Sequence, residues 1–144
     1  MKFTAATLLV VALGVQGCSA GQACSEVGGF SGVGIEIPRA LFVASGSVTF
    51  DVCDADDCAS ATQRLGPVPE GPVGRGASVT FDDLGRDFEP GQVTVTVKLS
   101  NSDGAVTATA QRDIELTRSY PNGKSCDGDG YVGGSVKLNT GDRV

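Results

Sequence analysis

Hydrophobic residues alternate with polar ones along most of the chain, which is the spacing of half-buried strands. The strongest run is Val93, Val95, Val97 and Leu99, and six other segments repeat the alternation. Their positions are Val33, Ile35 and Ile37; Val48, Phe50 and Val52; Ala59, Ala61 and Leu65; Val79 and Phe81; Val106, Ala108, Ala110, Ile114 and Leu116, interrupted by Arg112; and Val132, Val136 and Leu138. Helical spacing is not convincing in any window of useful length. The pattern therefore predicts seven antiparallel strands.

Turn-forming residues separate these segments. Asn101-Ser102-Asp103-Gly104 predicts a hairpin, Glu89-Pro90-Gly91 precedes the strongest strand, and Tyr120-Pro121-Asn122-Gly123 ends the strand before it. Seven short strands with this spacing predict an immunoglobulin-like (fibronectin III-like) antiparallel β-sandwich, with a closed barrel as the alternative.

Residues 66–74 contain too much Pro and Gly for a central strand. We expect a surface connection there, and a polyproline-like recognition segment is the other interpretation.

The first twenty residues have the pattern of a signal peptide. Lys2 is followed by an apolar stretch from Phe3 to Val15 and then by small residues. The stretch is shorter than the roughly 20 residues that a membrane-spanning helix needs. We therefore expect an exported protein.

Val15-Gln16-Gly17-Cys18 resembles a bacterial lipobox, in which the cysteine is diacylated before cleavage. Two acyl chains give stable membrane anchoring where one chain is marginal. We expect a lipoprotein signal peptide over residues 1–17, a lipidated Cys18 with a short tether over 18–30, and the β-sandwich over 31–144. The expected location is the outer face of the cell membrane, and the alternative is free secretion after cleavage near Ala20 or Ala23.

Cysteine counting agrees with an anchor at Cys18. The chain has five cysteines, and an exported protein rarely leaves one unpaired. The other four allow three pairings. If Val52 faces the core, Cys53 faces the other way, which favours a hairpin bridge to Cys58 over a buried bridge between sheets. Cys24 and Cys126 would then pair, and this long bridge is expected to contribute more to stability than the short one.

The cysteine spacing does not fit zinc or redox chemistry, because no C-x-x-C is present and the chain has no His. Calcium is harder to judge, since Asp54, Asp56 and Asp57 share one turn and Asp127 and Asp129 share another. An EF-hand loop starting at Asp127 would need an oxygen ligand where Tyr131 stands. These five residues are therefore weak calcium candidates, and the favoured interpretation is that Asp suits turns. We expect neither a metal nor a cofactor.

Catalysis has little support in the sequence. Without His, a conventional Ser/His or Cys/His pair is excluded. Asp82 and Asp83 would be the carboxylates of a glycosidase-like pair, but adjacent residues on a strand point to opposite faces. The formal charge is −6, and phosphate contacts need a basic surface, so nucleic acid is not an expected partner. We expect a non-enzymatic domain.

Four motifs together carry a family resemblance: VQGC, SVTFDVCDADDC, PGQVTVTVKL and SYPNGKSCDGDG. They resemble small uncharacterised lipoproteins of actinobacteria, whose exported part is a single immunoglobulin-like domain. The resemblance implies the anchor and the bridge from Cys24 to Cys126, and it carries no active-site residues.

These features predict a monomeric, lipid-anchored binding module. Its expected partner is a protein or another component of the cell envelope, and its only expected membrane contact is the lipid. A calcium-dependent adhesion or structural module that uses the acidic turns is the alternative.

Overall fold

The computed structural model describes Cys24, residues 27–67 and residues 75–144. The predicted signal peptide, Cys18 and most of the Pro-rich segment lie outside the described residues. The described part is mostly β, with seven strands that match the seven alternating segments. The strands are β1 (Gly32–Ile37), β2 (Ser47–Cys53), β3 (Cys58–Arg64), β4 (Arg75–Thr80), β5 (Gly91–Ser100), β6 (Val106–Ser119) and β7 (Tyr131–Lys137).

Short helical turns lie between some of the strands. They are α1 (Arg39–Val43), α2 (Phe81–Leu84), α3 (Lys124–Asp127) and a 3-10 turn over Thr140–Asp142. Phe81 was predicted to extend a strand with Val79, but it is the first residue of α2. The reason is local, because Thr80 and Asp83 form a reciprocal capping box that starts a helix at this point. Phe81 still faces the core.

The strands form one sheet in the order β3-β2-β5-β6-β7-β1-β4. Neighbouring strands are antiparallel except β1 and β7, which run parallel, with Gly32 opposite Gly133 and Glu36 opposite Lys137. The sheet is therefore mixed, and the prediction that every strand pair is antiparallel is wrong for this pair. Strands β1 and β7 are the first and last along the chain, so their pairing is a long-range contact. Alternation of hydrophobic residues does not indicate which distant strands pair or in which direction.

The sheet is nearly closed and barrel-like. The long strand β6 makes the corner, because its residues 106–116 pair with β5 and only Thr117, Arg118 and Ser119 pair with β7. Strands β3 and β4 are the two edges, and α2 contacts both of them. The mostly β fold with two disulfides is thus as predicted, but the architecture is not clearly an immunoglobulin sandwich and is closer to the barrel alternative.

Alternation places the predicted hydrophobic side chains inside. Phe50, Val95 and Leu99 are completely buried, and the facing residues of β1, β4 and β7 close the core from the other half of the sheet. Arg112, which interrupts the apolar pattern of β6, forms an ion pair with the Asp142 carboxylate. Its Nη2 donates to both carboxylate oxygens of Asp142 at 2.9 and 3.0 Å, which ties the C-terminal turn to β6.

Candidate functional site

The strand register defines two opposite ends of the domain. Cys53 pairs with Thr94, and Ser47 pairs with Ser100, so β2 and β5 run between the same two ends. The cysteine end carries residues 54–57, 85–90 and 120–130, and the hairpin end carries residues 44–46, 65–67 and 101–105. The ten residues of β5 separate the two ends by about 30 Å.

The first feature of the cysteine end is the bridge between Cys24 and Cys126. Their Cα atoms are 5.6 Å apart, and the bridge closes a sequence separation of 102 residues. The sequence predicted this pairing. It attaches the segment before β1 to the turn between β6 and β7, so the chain enters the domain at this end.

Asn122 holds the same N-terminal segment beside the disulfide. Its side-chain amide donates to the Val27 carbonyl at 2.9 Å and accepts from the Val27 N–H at 3.2 Å. Asp127 orients Asn122, because its carboxylate accepts from the backbone N–H and the side-chain amide of Asn122 at 2.7 and 2.8 Å. Sequence reasoning missed Asn122, which it treated only as a turn residue.

The second bridge joins Cys53 to Cys58 across the β2–β3 hairpin. The two residues are directly opposite each other in the strand register, with Cα atoms 4.0 Å apart. This is the hairpin bridge that the outward orientation of Cys53 predicted. The four residues between the cysteines form the acidic turn, residues 54–57.

The acidic turn is organised by its own backbone. The Asp54 carboxylate accepts the N–H groups of Asp56 and Asp57 at 3.0 and 2.9 Å, and Asp57 accepts the N–H of Cys58 at 2.8 Å. This is the local hydrogen bonding that makes Asp favourable in turns. The hydrogen bonds from Asp57 and Asp56, followed by the Arg86 charge, hold the pKa of Asp54 below its usual range.

Arg86 supplies a positive charge to the acidic turn from a different loop. Its Nη2 contacts Asp54 Oδ2 at 2.5 Å, and its Nη1 lies 3.9 Å from Asp57 Oδ2. The guanidinium also lies 4.5 Å from the centre of the Phe88 ring, and Phe88 is buried. Sequence reasoning did not find this partner, because Arg86 lies 32 residues from Asp54 along the chain and no local pattern links them.

The acidic residues of the two turns take separate roles. Asp54 is paired with Arg86 and Asp127 with Asn122, while the backbone carbonyl of Asp129 accepts a hydrogen bond from Arg118. Arg118 also contacts Glu89 at 3.1 Å, which joins the loop before β5 to the segment before β7. Within the part of the chain that the structure describes, His, Cys, Asp and Glu side chains do not form a group of three or more that suits a metal ion.

Of the two adjacent carboxylates Asp82 and Asp83, Asp83 caps α2. The Asp83 carboxylate accepts from the Thr80 N–H at 3.0 Å and from its hydroxyl at 2.8 Å, as the cap of α2 requires. These bonds, the backbone one first, lower the pKa of Asp83. The Asp83 carboxylate therefore serves as the cap of α2.

Two disulfides in one small domain indicate an oxidising, extracytoplasmic environment. Among the residues that the structure describes, no helix has the length and apolar character needed to cross a membrane.

Comparison with known proteins adds no relative to this picture: no family model matches the chain, and no significant match is found among curated proteins or solved structures.

Proposed function

We propose that the protein is a lipid-anchored, extracytoplasmic binding domain that is held to the membrane at its cysteine end. The observation that carries the proposal is the bridge from Cys24 to Cys126. Cys24 follows the lipobox cysteine, Cys18, by six residues. Six extended residues span at most about 20 Å, so an anchor on Cys18 keeps the cysteine end close to the membrane.

This attachment directs the hairpin end away from the membrane. Cys126 and Asn122 fix the entry of the chain at the cysteine end, and the strands carry the opposite end about 30 Å further out. The ion pair between Arg118 and Glu89 joins two of the loops at this end. A rigid domain with one tethered end suits presentation of its opposite end to a partner, which we propose is a protein or another component of the cell envelope.

A binding role is favoured over catalysis by the use of the acidic groups. Asp54 neutralises Arg86, Asp83 caps α2, and Asp142 pairs with Arg112. Each of these carboxylates has a structural partner, and the chain has no His to act as a general base near neutral pH. A calcium-dependent role is not adopted, since none of these contacts favours it over the arginine and backbone partners.

The immunoglobulin-like classification stays part of the proposal. The pairs β2–β5 and β6–β7 correspond to the B–E and F–G neighbours of immunoglobulin domains when the strands are lettered in chain order. Strand β3, however, lies beside β2 rather than beside β6. Strand β4 lies beside β1 rather than beside β5, and β5 pairs with β6. Only the first two pairs support a distant relation to that fold.

The anchor is tested by metabolic labelling with a fatty acid in cells that express the full chain. We expect label on the native protein and none on Cys18→Ser, because the thioether at Cys18 carries the lipid. The double variant Cys53→Ser/Cys58→Ser is the matched control and keeps the label. Label that persists after Cys18→Ser would refute the anchor.

A further inference from the structure

The hairpin end contains a cavity. Its volume is about 390 Å³, and it is lined by Gly46, Ser47, Arg64, Asn101, Ser102 and Gly104. Two backbone hydrogen bonds hold the lining residue Gly46 in place: its N–H donates to the Ser100 carbonyl at 2.7 Å, and its carbonyl accepts from the Leu65 N–H at 3.0 Å. The volume lies within the range of small-molecule sites, and the lining residues are glycines and residues with polar or charged side chains.

Arg64 is the charged residue of this lining. It is the last residue of β3 and lies opposite Ser47 in the strand register. Five other basic side chains contact carboxylates: Arg86, Lys98, Arg112, Arg118 and Lys137. The Arg64 guanidinium has no such contact among the described residues. Its planar fork of N–H donors matches carboxylate and phosphate oxygens.

The rest of the lining adds neutral donors. The Asn101 side-chain oxygen is occupied by the N–H groups of Asp103 and Ala105 at 3.0 and 2.9 Å, which leaves its NH₂ group for another acceptor. Ser47 contributes a hydroxyl. The Ser102 N–H has no acceptor among the described residues. The Arg64 guanidinium, the Asn101 NH₂ group, the Ser47 hydroxyl and the Ser102 N–H are therefore hydrogen-bond donors of the lining residues, and such donors suit an anionic ligand.

The negative charge of the chain limits how many negative charges the ligand can carry. The lining contains no carboxylate, although Asp103 flanks it between two lining residues, Ser102 and Gly104. The whole chain carries a formal charge of −6, which repels a long polyanion. A single oxyanion group on an otherwise neutral molecule avoids that repulsion while it uses the Arg64 fork.

We infer that this cavity binds one oxyanion group, a carboxylate or a phosphate, with Arg64 as its main contact. Ser47, Asn101 and the Ser102 N–H complete the donor set. The role of the cavity as the outward-facing recognition site rests on the proposed function, whereas anion binding itself does not depend on the anchor.

The test is an NMR titration of the disulfide-bonded protein, purified as exported from cells that express the full chain. Sodium acetate and sodium phosphate are added separately at constant ionic strength, with sodium chloride as the reference salt. We expect saturable shifts of the Gly46 and Gly104 amide signals with at least one of the two oxyanions. The one that saturates at lower concentration identifies the preferred group, and the absence of saturation with both would overturn the inference.

Two substitutions that remove charges of opposite sign should change anion binding in opposite directions. Arg64→Gln removes a charge-assisted contact and should weaken binding about tenfold or more. Asp103→Asn removes a nearby negative charge and should strengthen it. Arg143→Gln is the matched control, because Arg143 is an exposed arginine without an ion pair among the described residues and does not line the cavity. Equal weakening by Arg64→Gln and Arg143→Gln would mean general charge attraction and would refute the site.

A backbone variant tests the Ser102 donor. The hairpin turn has the hydrogen bonds of a type I turn followed by a left-handed glycine, Gly104, with φ of 83°. Proline is favoured at the position that Ser102 occupies in such a turn, so Ser102→Pro removes the N–H without disturbing the turn. Weaker binding is expected, and unchanged binding would contradict this contact. Failure of all these titrations would leave the labelling test of Cys18 unaffected.

Discussion

At the scale of single residues, the polar side chains of the cysteine end act in pairs that are distant in sequence. Arg86 belongs to the loop before β5, yet it neutralises Asp54 of the β2–β3 turn. Asn122 belongs to the turn after β6, yet it holds Val27 at the start of the domain. The acidic turn, whose aspartates the sequence offered as weak calcium candidates, is therefore part of a structural contact between loops.

Replacing Arg86 tests this contact. The side chains of Arg86 and Asp54 are 28% and 27% exposed, so solvent weakens the pair, and Arg86→Gln should lower the free energy of unfolding by about 1 kcal/mol. Lys137→Gln is the control, because Lys137 and Glu36 are 69% and 64% exposed and their pair should contribute less than about 0.5 kcal/mol. Urea unfolding measures both values, and an equal effect of the two substitutions would contradict the assignment.

A calcium-dependent role is tested by thermal unfolding. With Asp54 occupied by Arg86 and by backbone N–H groups, we expect millimolar calcium to leave the melting temperature of the native protein unchanged relative to a chelator. A clear rise in melting temperature with calcium would instead favour the calcium-dependent module.

At the scale of elements, α2 contacts both edges of the nearly closed sheet. It follows β4 directly and contacts β3, and these strands are the two edges of the sheet. Its capping residue Asp83 lies 3.4 Å from the Gln63 side chain of β3. The four-residue helix thus covers part of the gap that a seven-stranded sheet leaves open.

The cap of α2 is open to a direct test. Thr80→Ala removes the hydroxyl that accepts the Asp83 N–H at 3.1 Å, and we expect a loss of about 1 kcal/mol of stability. Asp82→Asn, at the neighbouring exposed carboxylate, should change stability by less than about 0.5 kcal/mol. Thermal unfolding followed by circular dichroism compares the variants. A larger effect of Asp82→Asn would show that the cap is not the stabilising feature.

At the scale of the whole molecule, the two disulfides differ in what they constrain. Cys53 and Cys58 join neighbouring residues of a hairpin that the strand register already defines. Cys24 and Cys126 join positions 102 residues apart, so their bond restricts the unfolded chain far more. The longer bridge also determines which end of the domain the N-terminal segment reaches.

Removing each bridge as a pair of serines should therefore give different losses. Chain-entropy estimates are about 4.7 kcal/mol for a loop of roughly 100 residues and about 2 kcal/mol for a five-residue loop. We expect Cys24→Ser/Cys126→Ser to unfold at a clearly lower urea concentration than Cys53→Ser/Cys58→Ser. Equal midpoints, or the reverse order, would contradict the entropic argument.

The sequence by itself determined the strands and the cysteine pairing of the hairpin. Both follow from alternation: Phe50 and Val52 must face the core, so Cys53 faces outward beside Cys58. The exception was Phe81, which the alternation assigns to a strand. It begins α2 instead, because Thr80 and Asp83 form a capping box there.

Only the tertiary structure decided which strands are neighbours and which distant side chains meet. The parallel pair of β1 and β7, the corner in β6, and the contact of Arg86 with Asp54 all join residues far apart along the chain. Periodicity records which face of a strand is buried, but it contains no information about the partner strand. The Arg64 cavity likewise exists only because β2, β3 and the β5–β6 hairpin end at the same side of the domain.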